Sequence, residues 1–212
     1  MHIPDGFLSP PVWAGMDAVA AGSVALAVRK VHRSLDPQRV PVMGMAGAFI
    51  FAAQMVNFPV AGGTSGHLLG GFLAALLLGP APAVVVMTTV FVVQCLIFQD
   101  GGITALGANI FNMGVVGAVG GYAVYRLLRR GRVPESAAIA AGAWLSVMAG
   151  AAATTLELAL SGAVALAIAA PTILGLHALI GIGEALITVG AVRVVTRVRP
   201  ELLRPQPGGE KA

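Results

Sequence analysis

The chain has 212 residues, of which 57% are hydrophobic and 10% charged. Soluble domains carry about 25% charged residues, so there is too little charge here to cover a water-facing globule, which excludes a soluble enzyme or a DNA-binding domain. The net charge is +4, and the single cysteine excludes a disulfide framework or a Cys-rich metal cage within the chain.

Apolar runs occupy residues 7–28, 42–58, 68–78, 83–98, 110–128, 136–160 and 173–195. None alternates as a strand does, and most approach the roughly 20 residues that cross a bilayer core. The pattern predicts an all-α integral membrane protein of about seven transmembrane helices. The third run is short and reads as half of a broken helix or as a re-entrant segment buried in protein. Residues 1–199 are expected to form a single membrane domain. The tail, 200–212, is rich in Pro, Gly and charge and is expected to be a flexible cytoplasmic end.

All 13 basic residues fall in three places: Arg29 to Arg39 after the first run, Arg126 to Arg132 after the fifth, and Arg193 to Lys211 at or beyond the seventh. The connections after the second, fourth and sixth runs contain none. By the positive-inside bias the basic loops are cytoplasmic, which puts the N-terminus outside and the C-terminus inside. These basic residues mark topology. No aromatic interleaving or soluble fold supports nucleic acid as a partner. No basic n-region precedes the first run, so Met1 and His2 are expected to stay in the mature chain.

Polar groups at membrane depth are costly and repay inspection. Here they are Asp17, His67, Glu157, His177 and Glu184, with the amides Gln54, Asn57, Gln94, Asn109 and Asn112. His177 and Glu184 are seven apart and share a helix face, for which a structural role is expected. Gly117 and Gly121, like Gly142, Ser146 and Gly150, have the spacing that lets helices approach closely.

The extreme N-terminus reads Met1-His2-Ile3-Pro4-Asp5-Gly6. With His in second place, the α-amine, the amide nitrogen between residues one and two, and the ring Nδ1 can chelate one ion through a five- and a six-membered ring. Such a planar nitrogen set suits Ni(II) or Cu(II), and Co(II) is not excluded. A second imidazole would complete it. His67 is the candidate, at the end of the glycine-rich loop Ala61-Gly62-Gly63-Thr64-Ser65-Gly66 on the predicted outer side. A second glycine and amide run, Gln99-Asp100-Gly101-Gly102 to Asn109, lies on the same side. Asp100 there would steer cations, and Asn109 or Asn112 would orient a ligand. Asp5, Asn57 and Ser65 are further candidates around the ion.

Residues 1–8 and 101–114, with the His67 segment 62–71, resemble the CbiM/NikM family. Its members are the substrate-binding membrane components of energy-coupling-factor transporters for cobalt and nickel. The resemblance covers essentially the whole chain. It implies that the N-terminal segment threads into the helical bundle and that Met1, His2 and His67 hold the ion. It also implies a prokaryotic plasma membrane, and uptake driven by partners: a small accessory membrane subunit, a transmembrane scaffold and cytoplasmic ATPase subunits. No GxxxxGK[ST] loop occurs, so ATP hydrolysis is expected from those partners, and no cofactor beyond the transported Ni(II) or Co(II) is expected. The Ile-Pro-Asp-Gly form and the plain Gly-Thr-Ser-Gly-His loop look closer to nickel-type members. A self-contained secondary transporter or channel for another cation is the alternative reading. An intramembrane metallohydrolase would need an open metal position and a base, and there is no HExxH motif.

Overall fold

In the computed structural model of the chain, residues 1–34, 36–60 and 64–200 are described. Among them the helical segments join into seven rods. The first, α1, spans Pro10–Ser34. Its prolines stand where a helix has no use for an amide hydrogen, and Ser9 O accepts from Val12 N and Trp13 N. A single 3₁₀ turn, Pro37–Arg39, is capped by the Asp36 side chain and leads into α2, Val40–Gln54. Next come α3, Gly71–Leu78, and α4, Pro80–Phe98. The fifth rod, α5, runs through Leu106–Asn109, the wider-wound Ile110–Gly120, and Gly121–Arg130. The sixth, α6, is Glu135–Leu160. The seventh, α7, joins Leu166–Ala169, the wide-wound Ala170–Leu174 and Gly175–Val198.

Two details differ from the sequence expectation. The second helix stops at Gln54 rather than running to residue 58, and Phe58–Val60 (β1) pairs antiparallel with Thr64–Gly66 (β2). The all-helical expectation therefore holds with one small hairpin added. The third helix starts at Gly71, not at 68, because Gly70 takes φ +74°, a left-handed conformation that a helix cannot continue through. Most of the expected flexible tail, 201–212, and the glycines Gly62 and Gly63 lie outside the described residues.

Among the described residues four rods are long and apolar enough to cross a membrane: Pro10–Ser34, Pro80–Phe98, Glu135–Leu160 and Leu166–Val198. At 15 residues α2 falls short of that length. Large apolar side chains such as Leu26, Ile97 and Leu186 stay exposed on the outside, as a lipid-facing surface requires and a water-facing one does not.

The short α3 is the centre of the bundle. Phe72, Leu73, Ala74 and Ala75 are all buried. The small-residue spacings explain how it fits. A Cβ on Gly121 or Gly142 would come within 3.0 or 2.8 Å of the Phe72 ring, and one on Gly150 within 2.8 Å of Met1 Cε. These glycines make room for a ring and for the first side chain of the protein. That second use was not visible in the spacing.

Candidate metal centre

Met1 and Ile3 are fully buried, and His2 is 3% exposed. A chain end ordinarily frays, so something must hold it. Three anchors do. Ile3 N donates to Asn109 Oδ1 at 2.8 Å, and Asn109 Nδ2 donates back to Ile3 O at 3.1 Å. Gly102 N also donates to Ile3 O, at 2.9 Å. The Asp5 carboxylate accepts from Ile103 N, Thr104 N and Thr104 Oγ1 at 3.0, 2.8 and 2.6 Å. The Thr104 hydroxyl and these amides hold Asp5 below the usual carboxylate range. The turn after α4 is thus a cradle for the N-terminal segment. It is built where Gln99 (φ 56°) and Gly101 (φ +94°) reverse the chain.

Held this way, the Met1 nitrogen donates to Ser65 O and lies 2.7 Å from His67 Nε2. Ser65 Oγ stands off at 3.4 Å. His67 Nδ1 is 2.7 Å from Leu68 O. A carbonyl can only accept, so Nδ1 carries the proton and Nε2 offers a lone pair. The His2 and His67 rings are 4.6 Å apart and within 21° of parallel, and Phe91 closes the other side edge-on at 5.5 Å.

Both ring nitrogens of His2 are buried without a hydrogen-bond partner, as is Gln94 Oε1. His2 Nδ1 comes within 3.2 Å of Asp100 Oδ1, an ion-pair distance short of an aligned hydrogen bond. Asn57 Nδ2 donates to the other Asp100 oxygen at 3.1 Å. Asn112 is turned elsewhere: its amide donates to Glu157 Oε2 at 2.7 Å and to Thr154 Oγ1 at 3.2 Å.

Electrostatics follows burial. Burial lowers the Met1 amine from 8.0 to about 4, against the opposing pull of Asp100. It also lowers His2 and, more strongly, His67, which feels the nearby amine and His2 as well. Burial alone would raise Asp100, but the His2 imidazole, the amine and Asn57 hold it below its usual value. At neutral pH the centre therefore presents neutral nitrogens beside one carboxylate.

Among the described residues no cluster of three or more His, Cys, Asp or Glu side chains is placed to hold a metal ion. What converges instead is main-chain nitrogen and two imidazoles. His2 and His67, which the sequence paired, lie side by side. Sequence reasoning flagged Gln54, Gln94 and Glu184 as polar groups in apolar runs without finding their task. They hold the segment after His67: Gln54 Nε2 donates to Leu69 O at 2.6 Å, Gln94 Nε2 to Gln54 Oε1 at 3.0 Å, and Glu184 accepts from Leu69 N and Gly70 N.

An apolar helical bundle with membrane-length rods and a buried polar cluster at one end defines a membrane protein. Comparison narrows the class to transition-metal transport. A crystal structure of a truncated transition metal transporter superposes with a TM-score of 0.89 at 36% identity, over 93% of this chain and 99% of that one. A Haloquadratum walsbyi protein provisionally named a metal transport protein is 42% identical, over 97% of this chain and 94% of its own length. The fused nickel transport protein NikMN of Rhodobacter capsulatus is 37% identical over 97% of this chain, which matches 65% of that longer protein. The family model for the cobalt uptake substrate-specific transmembrane region, CbiM, matches residues 2–202. The chain belongs to the CbiM family of cobalt and nickel transport proteins.

Proposed function

We propose that this chain captures Ni(II) or Co(II) on the outer side of a prokaryotic plasma membrane, as the substrate-binding component of an energy-coupling-factor importer. The Met1 amine, the Met1–His2 amide nitrogen, His2 Nδ1 and His67 Nε2 are the four donors. The observation that carries this reading is the 2.7 Å separation of the Met1 nitrogen from His67 Nε2 beside an unpartnered, buried His2 ring. Metal–nitrogen bonds of about 2.0 Å, the length imidazole makes to zinc, put neighbouring corners of a square about 2.8 Å apart. The amine and the imidazole already stand at that spacing.

Four nitrogens in one plane, one of them a deprotonated amide, favour Ni(II). Capture exchanges the ion's water for these donors, and His2 swings its Nδ1 from Asp100 to the ion. Asp100, 17% exposed, draws cations to the mouth. The clustered basic loops support an orientation with the N-terminus outside and seven crossings, to which the short α2 and α3 contribute as segments packed inside the bundle. A small accessory membrane subunit, a transmembrane scaffold and cytoplasmic ATPases supply the energy and the inward release. The Rhodobacter relative's name describes a fused transport protein, which fits a component that works with others.

Equilibrium dialysis of the purified chain tests this. About one Ni(II) or Co(II) should bind per molecule, and binding should be lost in His2→Ala and in a variant with one residue added before Met1. Unchanged binding by the extended variant would sink the amine chelate. A mature chain trimmed or blocked at Met1 would do the same.

A further inference from the structure

We infer that Glu184 is a positioning residue for the metal ligand His67 and acts on it through a single peptide group. The inference rests on His67 being a ligand. His67 Nδ1–H donates to Leu68 O at 2.7 Å. That oxygen belongs to the same peptide as Leu69 N–H, which donates to Glu184 Oε2 at 2.8 Å. Gly70 N donates to Glu184 Oε1, also at 2.8 Å. The order is therefore carboxylate, peptide, imidazole, and then the free Nε2.

Metal-bound histidines commonly give their second N–H to a carboxylate, which fixes the ring and raises its basicity. Here one polarisable peptide stands between the two. Hydrogen bonds in such a chain strengthen one another in a low-dielectric interior. Glu184 is 1% exposed, and both its oxygens are occupied by main-chain donors, so little solvent screens its charge from that peptide.

The left-handed Gly70 serves this arrangement. Its φ of +74° turns the chain out of these two held amides and into α3, and a Cβ there would sit 2.8 Å from the Ile50 side chain. On the opposite side Gln54 holds Leu69 O. The ligand segment is thus suspended between α2 and α7. Because the carboxylate is carried by α7, a displacement of α7 would withdraw it from the peptide and weaken the grip of His67 on the ion.

The test uses the full chain in detergent, loaded with Cu(II) as a paramagnetic probe. Electron spin-echo modulation reads the quadrupole coupling of the remote nitrogen of each bound imidazole, and His67→Ala assigns the His67 contribution. Ni(II) affinity is measured in parallel. Glu184→Gln should shift the His67 coupling and weaken Ni(II) binding about tenfold. Gln54→Leu loosens the same segment without touching the carboxylate. It should weaken binding and leave the coupling in place. Should Glu184→Gln not fold, Glu184→Asp, which draws the charge back from Leu69 N, must produce the shift instead. An unshifted coupling in the folded variant, or equal shifts in the Glu184 and Gln54 variants, overturns the inference. A wild-type chain that binds neither ion defeats the metal reading itself.

Discussion

The Met1 nitrogen stands 2.7 Å from His67 Nε2, 66 positions further along the chain. A neutral amine has two N–H groups, and here they meet Ser65 O and His67 Nε2. That geometry agrees with an amine lowered to about 4.

The sign of the pH dependence follows. A lowered amine stays neutral until the pH falls to about 4, and burial lowers both imidazoles as well, so protons compete with the ion on the acid side of neutrality. At pH 7 the amide is then the donor that must lose a proton. Ni(II) binding should release about one proton per ion, measured by calorimetry in buffers of different ionisation enthalpy. An ordinary amine and two ordinary imidazoles would raise this to about two or three, a result incompatible with the neutral centre.

Asn109→Ala removes both bonds of the clamp on Ile3. Leaving Ile3 N–H unpartnered in the interior costs about 1–3 kcal/mol. The N-terminal segment should undock while the helices persist. We expect a drop in Ni(II) affinity of about tenfold or more, the factor that such a cost sets, with helical circular dichroism unchanged. Wild-type affinity in this variant would show that the clamp is dispensable.

Gly102→Ala tests the close approach directly. A Cβ at this position would overlap the Asp5 main-chain nitrogen and come within 2.7 Å of the Pro4 carbonyl carbon. The segment bearing His2 must move outward, so metal binding should be lost. Gly6→Ala is the control. It is strained only by its φ of +85° and meets nothing within 4 Å. Its expected penalty is about 1 kcal/mol. Equal behaviour of the two variants would argue against the packing explanation.

Asp100→Asn keeps the shape at the mouth and removes its charge. The association rate for Ni(II) should fall several-fold, and its dependence on ionic strength should flatten. Stopped-flow mixing at two salt concentrations decides this. A change confined to the dissociation rate would mean that Asp100 acts on the bound ion and not on its approach.

Much of this protein was legible in one dimension. Long apolar runs with clustered Arg and Lys specify a membrane bundle, because in hydrocarbon a continuous apolar run satisfies its backbone within itself only as a helix. His in second place puts the amine, the amide and Nδ1 within reach of one ion on paper, since they are joined by so few bonds that their spacing is covalent. Pairing His67 with that end required only that two loops share a side, and the structure brings the two together.

The rest depended on contacts between distant segments. Asn109 clamps Ile3, Asp5 grips Thr104, and Glu184 reaches the peptide beside His67, each across about a hundred residues. Asn112, which looked equivalent to Asn109 on the page, turns to Glu157 instead. Local periodicity carries no record of such pairings. It says which residues lie on a helix face, whereas the partner a buried polar group finds is decided by how the helices pack.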